Sequence, residues 1–243
     1  MTGFEVILYE KQDDIGYITL NRPKALNAYN IKMRDELFEV LGAVKDDDEI
    51  RAAIIKGAGE KAFCAGADLT EFLTAPPPVH ARQARFERDI WGRFISINKP
   101  FIAAMHGYVI GSGIEISLCC DIRLCSEDAR FGLPEVNLGM IPAAGGTQTL
   151  PRTVGRSNAL YFLLKGDYID AVEAEKIKLV NKVLPREQLF SEADKLANKI
   201  AGYNPQVVSR AKNAVINGLD MTLAEGLSLE RRLSMLSVNN SGG

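Results

Sequence analysis

Apolar residues along this chain keep two rhythms. Phe4 to Glu10 and Ile15 to Leu20 are short runs rich in strand-forming residues on either side of the polar turn KQDD, and they predict two strands. From Asn30 to Val44 the spacing changes. Met33, Leu37, Val40, Leu41 and Val44 recur at helical intervals and predict a helix with one buried stripe. Arg51 to Lys56 is mostly apolar without clean alternation, the pattern of a parallel strand covered on both faces. FIAAMHG, after Pro100, reads the same way. Between those runs, GAGEKAFCAGADL reads as a glycine-rich loop and TAPPP as a surface loop, because consecutive prolines exclude a helix interior or a central strand. His80 to Ile97 predicts a helix.

The next segments predict a helix over Ser112 to Cys120, a strand over Ile122 to Cys125, and a Pro-initiated turn that carries Glu135. Helices follow at Ala144 to Val154, Asn158 to Lys165, Ala171 to Lys176, Arg186 to Ala201, Gln206 to Asn217 and Leu223 to Leu236. Strand–helix alternation ahead of a helical tail indicates α/β packing with a terminal helical region. The expected division is a core over residues 1–195 and a helical region over 196–243, ending in the frayed tail NNSGG.

Composition narrows the class. At 243 residues, 47% apolar and 25% charged, the chain suits one large globular core with a small appendage. A formal charge of -2 argues against a nucleic-acid footprint, and the apolar runs are too short and broken to span a membrane. The four cysteines, at 64, 119, 120 and 125, lack CxxC or zinc-finger spacing. No basic-then-apolar leader precedes FEVILYE. Together these lead us to expect a cytoplasmic protein in a reducing compartment.

Two carboxylates stand out. Glu115 lies inside GSGIEISLCCD, and Glu135 inside FGLPEVNLGMIPAAGG, both among apolar neighbours. A buried carboxylate is costly unless it is paired or used. Either glutamate alone is equally well read as a structural group satisfied by a backbone amide or an arginine. As a pair they can hold unequal protonation states and position a water, as glycosidase carboxylates also do. The loops CAGAD and GSG can turn backbone N–H groups toward one oxygen, which stabilising a thioester enolate requires. Their alternative is a plain tight turn.

Other chemistries fit poorly. Neither loop is GxGxxG, and no GK[ST] phosphate loop or GxSxG elbow occurs. His80 and His106 lack HExxH context. Asp68 and Asp121 read better as cap or ion-pair residues than as metal ligands, and Cys64 better as a buried thiol than as a nucleophile. Aromatic residues 94, 101 and 108 read as core or pocket wall.

The segments ITLNRPKALNA (18–28), AFCAGADL (62–69), AAMHGYVIGSGIEISLCCDIRL (103–124) and ARFGLPEVNLGMIPAAGGTQTLPRTVG (129–155), in this order, resemble the enoyl-CoA hydratase/isomerase (crotonase) superfamily, most closely its two-glutamate hydratases. LSLERRL (227–233) resembles the family's C-terminal helical region. The resemblance implies a spiral of repeated ββα units with helices that build homotrimers, or hexamers as dimers of trimers. It implies an acyl-CoA substrate, with coenzyme A as part of that substrate and no other cofactor or metal. Carried over by position, the amides of Ala67 and Ser112 form the oxyanion hole, and Glu115 and Glu135 do the proton chemistry. Asn27, Ala28, Ala65, Ala67 and Asp68 lie at the coenzyme A moiety. The reaction implied is reversible hydration of a 2-enoyl-CoA. Δ3-Δ2 isomerisation through Glu135, or an inactive acyl-CoA-binding member, is the alternative. His106 stands where asparagine is frequent, with a structural role in the turn expected. After LSLERRL the family's usual last helix gives way to SVNNSGG, and residues 74–89 are expected to contribute to the acyl pocket.

Overall fold

The computed structural model describes residues 3–73 and 88–238. Its larger sheet has six strands in the order β1 (Ile7–Gln12), β2 (Ile15–Leu20), β3 (Ala52–Gly57), β5 (Phe101–Met105), β7 (Ile122–Ser126) and β10 (Lys182–Leu184). Among its described strands only the β1–β2 pair is antiparallel. The smaller sheet holds β4 (Ala62–Cys64), β6 (Tyr108–Ile110), β8 (Arg130–Gly132) and β9 (Ile169–Asp170). From β3 to β8 the chain alternates sheets, so each ββα unit gives one strand to each. This is the spiral core that the resemblance implied.

Parity along the strands explains why the large sheet reads as nearly continuous apolar sequence. Ala53, Ile55, Phe101, Ala103 and Met105 face the main core, with Met33, Leu37, Val40, Leu41 and Val44 of the Ile31–Asp46 helix. Ala52, Ile54, Ile102 and Ala104 face the other way, onto the Leu189–Ala201 helix. That helix presents Leu189, Ala193, Ala197 and Ala201, and its small residues allow close approach. It runs unbroken through residue 195 and packs on the sheet as part of the core. The first helix starts where expected, with Asn30 Oδ1 accepting from Met33 N–H at 2.9 Å. Glu36 of the same helix accepts from Val6 and Ile7 N–H at 2.8 and 2.9 Å, pinning the start of β1.

Three expectations need correction. GAGEKAFCAGADL is not all loop, because Ala62–Cys64 is a strand. Tyr108 is not a core residue; it lies 45% exposed in β6 of the small sheet. The helix expected over 80–97 is seen from Ile90 to Ile95, the part before residue 88 lying outside the described residues.

The helices Pro205–Gly218 and Leu223–Val238 pack on each other. Val215, Leu219, Leu223, Met235 and Leu236 remain exposed there. Lys212 Nζ ties the pair to the body, donating to Asp121 Oδ2 at 2.8 Å and Lys99 O at 2.9 Å, with its own side chain 8% exposed. Asp121 Oδ2 also accepts from Phe101 N–H at 2.7 Å. We predict that Lys212→Met, which leaves Asp121 without its cation, costs about 1–3 kcal/mol. Hydrogen exchange would show raised amide exchange over 205–238, with the strands of the large sheet still protected.

Candidate active site

Both expected loops follow strands of the small sheet and meet each other. Gly66 follows β4 with φ +102°, and Gly111 follows β6 with φ +51°. A Cβ built on Gly111 would lie 3.5 Å from Gly66 Cα and 3.1 Å from Glu135 Oε1. Glycine is favoured at both positions by the positive φ, and at Gly111 also by the nearby Glu135 oxygen. Gly113 is a second such place: a Cβ there would sit 2.3 Å from Cys64 O, so the Ser112–Leu118 helix can lie directly on β4. Ala67 and Ser112 are the residues that directly follow these two glycines. Among the described residues neither amide donates to a protein acceptor. The Gly111 amide is held by Gly132 O at 2.9 Å.

Glu115 sits in the first turn of the Ser112–Leu118 helix, 3% exposed. Its Oε1 accepts from Ala144 N–H at 2.8 Å and Gly146 N–H at 3.1 Å. These amides enter from the AAGG turn that starts the Gly146–Val154 helix. A Cβ on Gly146 would fall 3.0 Å from the same oxygen and 2.8 Å from Pro142 Cβ, which accounts for a small residue there. The expected helix start at Ala144 therefore moves to Gly146, and Ala144 becomes a donor in the preceding turn. Sequence reasoning passed over these donors, although PAAGG ahead of a helix was a usable signal.

Glu135 lies in the short 3-10 helix Pro134–Leu138. Its Oε2 is buried and has no hydrogen-bond partner among the described residues. Burial raises its pKa above the usual glutamate value, and the charge of Glu115 pushes in the same direction. The turn carrying it is braced from the side, with Asn137 Nδ2 donating to Gly166 O at 3.1 Å. The two carboxylates therefore differ: one is held by two amides, while the other keeps an oxygen with no donor among the described residues.

The remaining predicted residues lie on the segments around residues 27–28 and 65–68, which are hydrogen-bonded to each other. Asn27 is completely buried in left-handed backbone, φ +55°. Its Oδ1 accepts from Arg22 N–H at 2.9 Å, and its Nδ2 donates to Ala58 O at 2.9 Å and Ala62 O at 2.8 Å. The side chain thus joins loops. Ala65 N–H donates to Leu26 O at 3.0 Å, and Ala28 O accepts from Arg22 Nη1 at 2.6 Å. Asp68 Oδ2 accepts from Arg22 Nη2 at 2.8 Å, and its Oδ1 accepts from the Thr70 hydroxyl at 2.6 Å. The Thr70 bond first, and the Arg22 cation with it, hold Asp68 below the ordinary aspartate range.

Several candidates lie outside this arrangement. His106 is fully buried with its ring edge-on to Phe190, 6.0 Å between centroids, beneath the Leu189–Ala201 helix. Burial, then the nearby Arg186, lowers its pKa. Asp121 is the partner of Lys212. Burial pushes the Cys64 thiol up to about 12, as expected of an inert core cysteine. Among the described residues no three His, Cys, Asp or Glu side chains gather as metal ligands would, and no helix is long and apolar enough to cross a membrane.

The family model for enoyl-CoA hydratase/isomerase matches residues 10–241. A probable mitochondrial enoyl-CoA hydratase of Dictyostelium discoideum is 43% identical over 227 residues, 92% of this chain and 80% of the relative. A probable enoyl-CoA hydratase of Rhizobium meliloti is 43% identical over 231 residues, 95% of this chain and 89% of that one. The crystal structure of enoyl-CoA hydratase from Bacillus anthracis superposes with a TM-score of 0.91 at 36% identity, covering 95% of this chain and 90% of that one. The chain belongs to the enoyl-CoA hydratase/isomerase family.

The asymmetry between the carboxylates has a measurable sign. Side-chain 13C NMR of Glu135 should show it titrating above the ordinary glutamate value in the parent. In Glu115→Gln the value should move down, since a repelling charge is gone, yet stay raised because burial persists. An unchanged or higher value would mean that the two carboxylates do not sense each other.

Proposed function

We propose that the protein catalyses reversible addition of water to a 2-enoyl-CoA, giving a 3-hydroxyacyl-CoA. What carries this reading is the convergence of two glutamates from separate elements on two glycine-supported amide loops. The thioester carbonyl would accept hydrogen bonds from Ala67 N–H and Ser112 N–H. As the β-carbon is attacked, electron density moves through the conjugated system to that oxygen, where fixed donors stabilise it without reorganising. Glu115 would take a proton from the attacking water, and Glu135 would deliver one to the α-carbon. Oxygen and one hydrogen of water end on the β-carbon hydroxyl, and proton exchange between the glutamates and solvent restores their starting states. The raised pKa of Glu135 supports its role as the acid. These steps require no metal or redox cofactor.

Coenzyme A would lie along Asn27, Ala28, Ala65, Ala67 and Asp68. Ala65 and its neighbours would offer main-chain atoms, while Asn27 and Asp68 would act through the loops they hold. The helices after residue 201 would serve as an oligomerisation region of a homotrimer, alone or paired into a hexamer. Their exposed Val215, Leu219 and Leu223 support this, because such a row calls for a covering surface. Four unpaired cysteines suit the reducing cytoplasm. A second reading rests on Glu135 Oε2, which is buried without a hydrogen-bond partner among the described residues. That is the single proton carrier needed to move a double bond between the 3 and 2 positions of an enoyl-CoA.

Crotonyl-CoA decides between them. We expect loss of the conjugated enoyl-thioester absorbance with a mass gain of one water. Glu115→Gln and Glu135→Gln should each lower kcat on the order of 10²–10⁴-fold. Isomerisation of a 3-enoyl-CoA that depends on Glu135 alone would replace the hydratase reading. Binding without turnover across an acyl-CoA panel would leave an acyl-CoA-binding member.

A further inference from the structure

Arg22 contributes neither a reacting carboxylate nor an amide to the site, yet its contacts surround one. Its Nη1 donates to Ala28 O at 2.6 Å and its Nη2 to Asp68 Oδ2 at 2.8 Å. Residues 28 and 68 flank the isolated parallel bridge between Tyr29 and Ala67. That bridge consists of Tyr29 N–H donating to Gly66 O and Asp68 N–H donating to Tyr29 O, both at 2.8 Å. In a parallel bridge of this kind the amide of the residue between the two bonds, here Ala67, points away from the partner segment. The direction of Ala67 N–H is therefore set by how firmly segments 26–29 and 65–68 are held together.

The guanidinium spans those segments from the side. It bridges a carbonyl on one and a carboxylate on the other, with the Arg22 and Asp68 side chains only 20% and 13% exposed. Asp68 is fixed in turn by the Thr70 hydroxyl and by Thr70 N–H at 3.2 Å. Arg22 is fixed at its own main chain, where its N–H donates to Asn27 Oδ1. A planar fork with several donors suits this task; a lysine ammonium on a flexible stem does not reproduce it.

Resting on the reading of Ala67 as an oxyanion donor, we propose that Arg22 and Asp68 are positioning residues that aim the Ala67 amide at the thioester oxygen. They touch no reacting atom. Their ion pair keeps two backbone segments in register, so its loss misdirects a hydrogen bond that strengthens as charge develops on the oxygen. A displacement of this kind costs on the order of tenfold to a hundredfold in kcat and little in ground-state binding.

The test compares the parent with Arg22→Met, Arg22→Lys and Asp68→Asn. Three quantities are read: kcat for crotonyl-CoA, Kd for the saturated butyryl-CoA, and the ultraviolet band of the enolate formed when acetoacetyl-CoA binds. We expect kcat to fall on the order of tenfold or more in both arginine variants, and less in Asp68→Asn. Kd should rise by clearly less than kcat falls, although the same segments flank the proposed coenzyme A site, and the enolate band should weaken in step with kcat, since the band reports the oxyanion donors directly. If Arg22→Met fails to fold by circular dichroism, the two milder variants carry the test. An undiminished enolate band in them overturns the proposal. So does a parallel loss of butyryl-CoA affinity, which would make Arg22 a binding residue. If the parent turns over neither crotonyl-CoA nor a 3-enoyl-CoA, but forms an enolate that the variants lose, the hydratase reading fails and the clamp stands.

Discussion

The site depends on one steric fact: two backbone loops touch where neither has a side chain. With Gly66 and Gly111 packed so closely, the amides that follow them can serve one small volume. A Cβ at Gly111 would crowd the Glu135 carboxylate at 3.1 Å and come into ordinary contact with Gly66 at 3.5 Å. The same logic is repeated beneath, where Gly113 lets a helix rest on the carbonyl of Cys64, and beside it, where Gly146 makes room for Glu115. Glycine in these positions is a spacing device. It lets fixed dipoles stand close together inside a core that is otherwise filled.

Around that contact the two carboxylates are placed in unlike surroundings. Glu115 is oriented by main-chain donors from the turn and first residue that begin another helix, so its geometry is inherited from the packing of two elements. Glu135 comes from a short 3-10 turn and leaves one oxygen buried and without a donor among the described residues. Leaving a polar atom in that state has a cost, since its interactions with water are only partly replaced. A substrate or a held water that completes the missing bond recovers some of that cost on arrival.

Much of this was legible in the sequence, and the gaps have physical causes. The Ile31–Asp46 helix shows because all five predicted apolar positions face one core. The large sheet shows because burial on both faces leaves runs such as AAII and FIAAM. The small sheet does not show: its strands are two or three residues long, too short for alternation to be read, and it is defined by pairing between distant segments. Glu115 and Glu135 stood out as charges in apolar stretches. Arg22, Ala144 and Gly146 did not, because an arginine in a turn or a glycine before a helix has many ordinary uses. Their importance lies in what they meet across 29 to 46 residues of sequence separation.

Interleaving the two sheets has a consequence for how the molecule comes apart. Successive strands from β3 to β8 belong to alternate sheets, so peeling away the small sheet also pulls on connections anchored in the large one. No boundary between separately opening units can run between them. The amide-bearing loops sit on those crossings, and they inherit the cooperativity of the whole spiral. The helical pair after residue 201, attached by few contacts, is the part able to open by itself. The loops that carry the Ala67 and Ser112 amides thus lie in the least separable part of the chain, and the exposed apolar residues of the last two helices in the most separable part.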